Sequence, residues 1–208
     1  GIDITMFMSD MSLNENLSST PQDRRELMDL VERMQGAFTT IAKSKIPTIA
    51  LAHGFCIGGA TSLVSACDIR LATKDAKFSI GETKLGLVAD VGVIQRMPKI
   101  VSSGDMNELA LTGRIFDGEH AEKIRFVSKV YENSDDLFEA GEKLANEISS
   151  NSKRIVQATK EALEKSSNLT VDQGLEYAKL WSTSFLVSED LREGVMAFLE
   201  KRDPKFNE

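Results

Sequence analysis

Apolar and polar positions show a helical period between residues 21 and 43. Six apolar side chains recur there every three or four positions: Leu27, Leu30, Val31, Met34, Phe38 and Ile41. This spacing predicts one apolar face of an amphipathic helix. Thr20 and Pro21 fit the N-cap and first helical position, because proline lacks only an N–H that would stay unbonded there. The preceding polar stretch, 9–20, has no period and predicts a loop.

Short apolar runs alternate with helical segments in the middle of the chain. Three such runs predict strands: "IPTIALAH" (46–53), "DIRLAT" (68–73) and "AKFSIG" (76–81). The double glycine and "ATSLVSAC" after the first run predict a short helix packed on that strand. This order of strand, helix and strand predicts right-handed crossover units in an α/β core.

Helical patterns dominate after residue 104. A short helix "DMNELALTG" should end at Gly113, and "GEHAEKIRF" predicts another that leads into a short strand, "VSKVY". Three longer helices are predicted at 135–149, 151–167 and 171–202, the last broken near Ser188, which can serve as a second N-cap. The pattern therefore divides the chain into an α/β part, 1–130, and a helical part, 131–208.

Charge and composition exclude several classes of protein. The formal net charge is −7, which disfavours non-specific binding to nucleic acid or anionic membranes. No apolar run approaches the roughly 20 residues needed to cross a bilayer, so no membrane insertion is expected. The two cysteines, Cys56 and Cys67, are too few for a disulfide framework and favour a reducing compartment. No cluster has metal-ligand spacing, and no metal is predicted.

The turn "CIGGAT" (56–61) allows two interpretations. Glycine permits a positive φ and a close approach of the backbone to a ligand. The free N–H groups at the start of a helix favour an anion, which suits a phosphate or a developing oxyanion. Close packing of a helix on a strand would require the same residues without any ligand. The turn matches neither the full dinucleotide motif nor the phosphate-binding P-loop.

Two isolated carboxylates follow this turn. Glu82 comes directly after an apolar strand, and Asp90 lies between Ala89 and Val91. Burial disfavours the ionised form of a carboxyl group, which suits proton transfer near neutral pH. Two such acids could remove a proton from one carbon and return one to another. Alternatively, Glu82 caps a turn and Asp90 is solvated in a loop.

Motifs along nearly the whole chain resemble one known family. They are "GIDI", the run from "IPTIALAHGF" to "GETKLGL" (46–87), "QRMPKI", "ELALTGRIFDGEHAEKIRFVSKV" and "SEDLREGVMAFLEKRDPKF". In this order they resemble the enoyl-CoA hydratase/isomerase (crotonase) superfamily. The resemblance implies a spiral of ββα turns with a C-terminal helical trimerisation region. It also implies that the family's first strands, which precede "GID", are absent from this chain.

The same resemblance implies the ligand and the binding groups. The substrate would be an acyl-CoA thioester, with no separate cofactor because coenzyme A is part of the substrate. The backbone N–H groups of Ile2 and Gly59 would form an oxyanion hole for the thioester oxygen. Gly58, Ser62 and Lys201 would contact the substrate, although Lys201 could also be an exposed terminal charge. The resemblance further implies a homo-trimer or a homo-hexamer.

The reaction depends on positions 62, 82 and 90. Family hydratases use two glutamates, which correspond to positions 62 and 82. This chain keeps Glu82 but has Ser62 at the other position, and a hydroxyl cannot replace a carboxylate base. Asp90 is similar to the acid of dienoyl-CoA isomerases, which convert a 3,5-diene to a 2,4-diene. Asp90 would act at C2 and Glu82 at C6, although the sequence does not decide which acid serves which carbon.

Ser62 also keeps alternatives open. The dienoyl branch has a third acid at that position, and its absence leaves a Δ3,Δ2-enoyl-CoA isomerase or an enoyl-CoA hydratase as alternatives. A non-enzymatic alternative is a catalytically silent acyl-CoA-binding subunit, which would need neither Glu82 nor Asp90. The expected location is the mitochondrial or peroxisomal matrix in a eukaryote and the cytoplasm in a bacterium. The C-terminal "KFNE" is not a peroxisomal signal.

Overall fold

A computed structural model describes residues 20–206, and its first helix begins at the predicted cap. Helix α1 spans Pro21–Ala42. The Thr20 hydroxyl accepts a hydrogen bond from the Asp23 N–H, and the Asp23 carboxylate accepts one from the Thr20 N–H. This reciprocal capping box satisfies two backbone donors that a helix start leaves without partners. The predicted helix is confirmed, whereas the loop predicted before Thr20 lies outside the described residues.

Strands of the described chain form two three-stranded sheets. They are β1 (Ile49–Ala52), β2 (Phe55–Ile57), β3 (Ile69–Thr73), β4 (Lys77–Ser79), β5 (Phe116–Asp117) and β6 (Lys129–Tyr131). The first sheet is parallel in the order β1-β3-β6. The second has the order β2-β4-β5, with β2 and β4 parallel and β5 antiparallel. Successive strands β1 and β2 thus enter different sheets, as do β3 and β4.

Two of these strands correct the sequence prediction. Strand β2 lies between the predicted strand 46–53 and the glycine turn, where the pattern placed the helix directly after the strand. Strand β5 falls in a segment that carried no strand prediction. Both have three residues or fewer, too few for an alternating pattern to be visible. Their pairing with β4 is what makes them strands.

The helices follow the predicted pattern more closely. Between strands lie α2 (Gly59–Ala66), α3 (Val93–Arg96), α4 (Ser103–Thr112) and α5 (Gly118–Lys123), with 3₁₀ turns at Gly81–Leu85 and Met97–Lys99. They are followed by α6 (Ser134–Ser149), α7 (Lys153–Ser166), α8 (Val171–Phe185) and α9 (Glu189–Glu200). Helix α4 ends at Gly113 in the left-handed conformation, as predicted. Ser188 caps α9, which confirms the break in the third long helix.

The core of the α/β region contains a cluster of three phenylalanines. The ring centroid of Phe78 lies 5.5 Å from that of Phe116 and 5.6 Å from that of Phe126. All three side chains are buried. Phe78 belongs to β4, Phe116 to β5, and Phe126 precedes β6, so the cluster joins segments that are distant in sequence. Aromatic pairs at these separations stabilise a core beyond the apolar area that they bury.

The described residues form two compact units. One takes residues 20–44 and 48–139, and the other takes 45–47 and 140–206. The first contains both sheets, and the second contains α7 to α9. In the second unit, the Tyr177 hydroxyl donates to the Glu161 carboxylate at 2.6 Å, joining α8 to α7. The chain division at residue 130 stays a prediction of the sequence pattern.

Candidate active site

The predicted glycine turn is held between two strands. Gly58 has a φ of +58° at the N-cap of α2, a conformation that favours glycine. Its N–H donates to the Ser79 carbonyl at 2.9 Å. The buried Thr61 hydroxyl lies 2.5 Å from the Cys56 carbonyl oxygen and 3.0 Å from that of Ser79. These contacts fix the start of α2, where the N–H of Gly59 has no acceptor within the helix.

Glu82 packs directly on this turn. A Cβ atom at Gly58 would lie 3.3 Å from Oε1 of Glu82. The other carboxylate oxygen, Oε2, is buried and has no hydrogen-bond partner in the described part of the chain. Thr83, the next residue, donates its hydroxyl to the Ala110 carbonyl at 2.7 Å, which holds the turn against α4. A half-buried carboxylate is therefore presented beside the N-terminus of α2.

Ser62 lies one helical turn from Gly58. Its N–H donates to the Gly58 carbonyl at 3.0 Å. The Ser62 side chain is fully buried, and its hydroxyl has no partner within residues 20–206. Ser65, also buried in α2, instead donates its hydroxyl to the Ser62 carbonyl at 2.7 Å. Buried polar atoms are almost always hydrogen-bonded, so the Ser62 hydroxyl is an exception among the described core residues.

Asp90 corrects the expectation of a buried carboxylate. Its two sequence neighbours are buried, Ala89 with 6% and Val91 with 4% of their surface exposed, whereas Asp90 is exposed. Apolar neighbours in sequence therefore do not surround the residue between them here. The alternative of a solvated loop agrees with the structure. Asp90 remains a candidate acid, but one in contact with solvent.

Sequence reasoning missed two residues that hold the Asp90 segment. The side-chain amide of Gln35, on α1, donates to the Asp90 carbonyl at 2.6 Å. The Arg96 guanidinium donates to the Val91 carbonyl at 3.3 Å and to the Thr39 hydroxyl at 3.1 Å. Gln35 is one polar residue among many on α1 and carried no signal. Gly92 was a weak sign that another side chain passes close to the backbone at this position. That side chain is Arg96, since a Cβ atom at Gly92 would overlap its guanidinium.

Other candidates lie elsewhere. Ile2 is outside the described residues. Lys201 belongs to the helical C-terminal unit, where it ends α9 in a left-handed conformation. The neighbouring Arg202 is paired with the Glu193 carboxylate through two nitrogens, at 2.6 and 3.0 Å, and with Glu200. Arg202 is therefore neutralised within the chain, whereas Lys201 remains exposed.

The described part of the chain lacks two other features. Within residues 20–206, no three His, Cys, Asp or Glu side chains group closely enough to hold a metal ion. No helix in that range has both the length and the apolar character to span a bilayer. Cys56, beside the glycine turn, is buried, and burial raises the pKa of its thiol. A raised pKa keeps the thiol protonated near neutral pH, so Cys56 is a packing residue and not a nucleophile.

A sequence profile described as enoyl-CoA hydratase/isomerase matches residues 5–208. The chain belongs to the enoyl-CoA hydratase/isomerase family. The match spans the glycine turn, both carboxylates and the C-terminal helices.

Two of the similar relatives are named as Delta(3,5)-Delta(2,4)-dienoyl-CoA isomerases. The chain is 47% identical over 188 residues to "Delta(3,5)-Delta(2,4)-dienoyl-CoA isomerase, mitochondrial" of Dictyostelium discoideum, covering 90% of this chain and 64% of that protein. It is 39% identical over 206 residues to the peroxisomal protein of that activity in Arabidopsis thaliana, covering 99% of this chain and 74% of that protein. The chain thus spans less than two thirds of the Dictyostelium relative.

A solved structure shows the same fold. The crystal structure of an enoyl-CoA hydratase from Bacillus anthracis superposes with a TM-score of 0.82 at 28% identity. The superposition covers 93% of this chain and 74% of the bacterial one. The mixed α/β architecture, rich in helices, is therefore the crotonase fold of the family.

Proposed function

We propose that this chain is part of an acyl-CoA isomerase that converts 3,5-dienoyl-CoA to 2,4-dienoyl-CoA. The observation that carries this proposal is the Glu82 carboxylate packed against Gly58, with Oε2 unpartnered in the described residues. This places a carboxylate beside the helix N-terminus proposed to bind the thioester oxygen. The names of the two relatives support the same reaction. Asp90 supplies a second acid, which the proposed reaction needs and a one-carboxylate isomerisation does not.

The proposed reaction begins at C2 of the acyl chain. The Asp90 carboxylate removes a proton from C2, and the electrons of the C–H bond form an extended dienolate with the thioester oxygen. The N–H of Gly59 donates to that oxygen, together with the N–H of Ile2, which is outside the described residues. Oxyanion donors of this kind are typically worth on the order of 10²–10³ in kcat each.

The reaction ends at C6. The carbonyl reforms, double bonds move to C2–C3 and C4–C5, and protonated Glu82 delivers its proton to C6. Asp90 is then protonated and Glu82 ionised, so each must exchange a proton with solvent before the next turnover. The exposure of Asp90 gives it direct access to water for this step. Proton transfer by such groups contributes about 10²–10⁴-fold to a rate.

The runner-up is a Δ3,Δ2-enoyl-CoA isomerase, and Ser62 favours it. In that reaction Glu82 alone would move a proton from C2 to C4. Ser62 stands where the dienoyl branch has a third acid, and its buried hydroxyl carries no charge. Enoyl-CoA hydration is disfavoured for the same reason, because only one of the two hydratase glutamates is present. A catalytically silent subunit that only binds acyl-CoA would not need Oε2 of Glu82, a buried carboxylate oxygen without a partner in the described residues.

Lys201 is the candidate for the coenzyme A end of the substrate. Arg202 already pairs with Glu193 and Glu200, whereas Lys201 is exposed and is proposed to meet a CoA phosphate. No separate cofactor enters the proposed reaction, because coenzyme A is part of the substrate. We also propose that Gly58 and Ser62 line the acyl site, because Gly58 packs against Glu82 and Ser62 lies one helical turn from Gly58.

Copies of the chain are proposed to assemble as a trimer or a hexamer. Helices α7 to α9 enclose an apolar groove of about 770 Å³, lined by Trp181, Phe185 and Phe198 among others. Three apolar side chains that line this groove, Leu186, Phe198 and Leu199, are 65%, 83% and 68% exposed, and an exposed apolar patch marks an interaction surface. The alternation of strands between two sheets supports the proposed ββα spiral. The names of the relatives support a mitochondrial or peroxisomal location for a eukaryotic source.

The deciding experiment incubates the full-length protein with 3,5-dienoyl-CoA and follows the ultraviolet absorbance of the conjugated 2,4-diene. We expect formation of the diene at a rate well above that with 3-enoyl-CoA. A parallel reaction with 2-enoyl-CoA and water measures hydration. Turnover of 3-enoyl-CoA without any diene product would replace the leading proposal with the runner-up.

A further inference from the structure

The segment that carries Asp90 is exposed and has little secondary structure of its own. Residues 87–90 belong to no helix or strand, and Val88 is 76% exposed. A carboxylate on such a segment would sample many positions unless the backbone beneath it is fixed. A displacement of about 1 Å at a reacting group can cost about 10²-fold in rate. An acid at this place therefore needs a device that holds its backbone.

Two side chains bind the backbone carbonyls of the two successive residues Asp90 and Val91. Nε2 of Gln35 donates to the Asp90 carbonyl at 2.6 Å. A guanidinium nitrogen of Arg96 donates to the Val91 carbonyl at 3.3 Å. Two consecutive carbonyl groups are thus held by donors from two different helices, α1 and α3. This restricts both the position of the peptide and its rotation.

Both contacts lead back to one face of α1. Gln35 belongs to α1, and the second guanidinium nitrogen of Arg96 donates to the Thr39 hydroxyl of the same helix at 3.1 Å. Residues four apart lie on the same face of a helix. Gly92 completes the arrangement, because its φ of +116° and missing Cβ leave the space that the guanidinium occupies.

We propose that Gln35 and Arg96, with Thr39 behind Arg96, are positioning residues that hold the Asp90 carboxylate at the C2 carbon of the substrate. The inference rests on the proposed role of Asp90 as the acid that acts there. None of the three residues is proposed to touch the substrate. Their loss should therefore lower kcat while KM and the folded state change little.

The test uses two pairs of variants in the full-length protein. Gln35→Met keeps the length of the side chain without its donors, and Gln22→Met, on the first turns of the same helix, is its control. Thr39→Val removes the hydroxyl that accepts from Arg96, and Thr39→Ser keeps it. For each variant we would measure kcat, KM, the melting temperature and the kinetic isotope effect with substrate deuterated at C2.

Gln35→Met and Thr39→Val should lower kcat by about tenfold to a hundredfold, because the acid is misplaced by a fraction of an ångström to 1 Å. KM should stay within about twofold, and the C2 isotope effect should rise because proton removal becomes more limiting. Gln22→Met and Thr39→Ser should keep the wild-type values. A purely structural role would lower the melting temperature and leave the isotope effect unchanged.

Asp90→Asn separates failure of this inference from failure of the proposed function. Wild-type diene formation by Asp90→Asn would remove Asp90 from the reaction and overturn the proposed function together with the clamp. Loss of activity in Asp90→Asn, with wild-type kcat and isotope effect in Gln35→Met and Thr39→Val, would overturn the clamp alone. A fall in kcat that only matches a loss of folded protein would also overturn it.

Discussion

The Glu82 carboxylate has one oxygen against Gly58 and the other buried without a partner in the described chain. Such an oxygen is costly to bury, since an unsatisfied polar group destabilises the folded state by about 1–3 kcal/mol. The proposed role of Glu82, in which this oxygen gains its partner from the substrate, would account for this cost. The Ser62 hydroxyl is also buried without a partner in the described chain, and both residues can be tested individually.

Replacing Glu82 by Gln should separate charge from shape. The amide keeps the contact with Gly58 but cannot donate a proton as an acid, so kcat should fall by about 10²–10⁴-fold. KM should change little, because the side-chain volume is kept. Steady-state kinetics with 3,5-dienoyl-CoA would measure this. Glu139→Gln, at an exposed position on α6, is the control, and wild-type kcat in Glu82→Gln would exclude Glu82 as the acid.

The two buried serines of α2 should respond oppositely to alanine. Ser62→Ala removes a hydroxyl that has no partner in the described residues and should raise stability by about 1 kcal/mol, whereas Ser65→Ala breaks its bond to the Ser62 carbonyl and should lower stability by a similar amount. Ser62→Ala should also raise KM severalfold if its hydroxyl binds the substrate. Urea unfolding and steady-state kinetics check both effects. Equal destabilisation by the two substitutions would show that Ser62 is already bonded in the folded chain.

The start of α2 combines a positive φ at Gly58 with the close approach of Glu82. Hydrogen bonds from Gly58 and Thr61 to strand β4 set where the helix begins. The helix itself is short and buries small residues, which allows it to lie near the strands. The geometry of this turn therefore determines both the direction of the Gly59 N–H and the place of the carboxylate.

Gly58→Ala should affect catalysis more than stability. Alanine adopts the positive φ of this position only with strain, and its Cβ, 3.3 Å from Oε1, should push Glu82 away. Gly54→Ala is a matched control, because Gly54 has a φ of +62° but nothing within 4 Å of the new Cβ. Both variants should lose similar stability in urea unfolding. Gly58→Ala should in addition have a lower kcat than Gly54→Ala. An equal kcat in the two variants would contradict the contact of Gly58 with Glu82.

Ionic contacts join the end of α9 to the residues that follow it. Arg202 donates to Glu193 and Glu200, and the Lys205 N–H donates to Glu193 at 2.7 Å. These donors lower the pKa of Glu193 to about 2, from an ordinary value of 4.5. The end of α9 and the residues after it are tied together by this one carboxylate.

Acidification should loosen this end of the chain. A carboxylate whose folded pKa is depressed stabilises the fold above its unfolded pKa, and that contribution is lost as the pH falls through the folded value. Between pH 4.5 and 2, wild-type stability should therefore decline more steeply than that of Glu193→Gln. Urea unfolding at several pH values, followed by circular dichroism, measures the difference. Parallel pH profiles for the two proteins would show that the Glu193 contacts do not stabilise the fold.

Local signals in the sequence predicted the helix boundaries and the family. Thr20, Ser188 and Gly113 act on backbone groups within four residues of themselves, so their roles can be read without knowing the rest of the fold. The apolar period predicted the long helices for the same reason. The glycine turn and both carboxylates were identified as candidates from the sequence, and the order of the motifs indicated the family.

Only the folded chain determined how these candidates face one another. The contact of Gly58 with Glu82 and that of Gln35 with Asp90 join residues 24 and 55 positions apart, and no local pattern encodes such distances. The sequence also could not tell that Asp90 faces solvent. Its apolar neighbours Ala89 and Val91 are buried, while Asp90 between them is exposed. Helical periodicity and capping depend on residues within one or two turns of each other, so they can be read from the sequence. The site depends on how separate elements pack together, which only the tertiary structure decides.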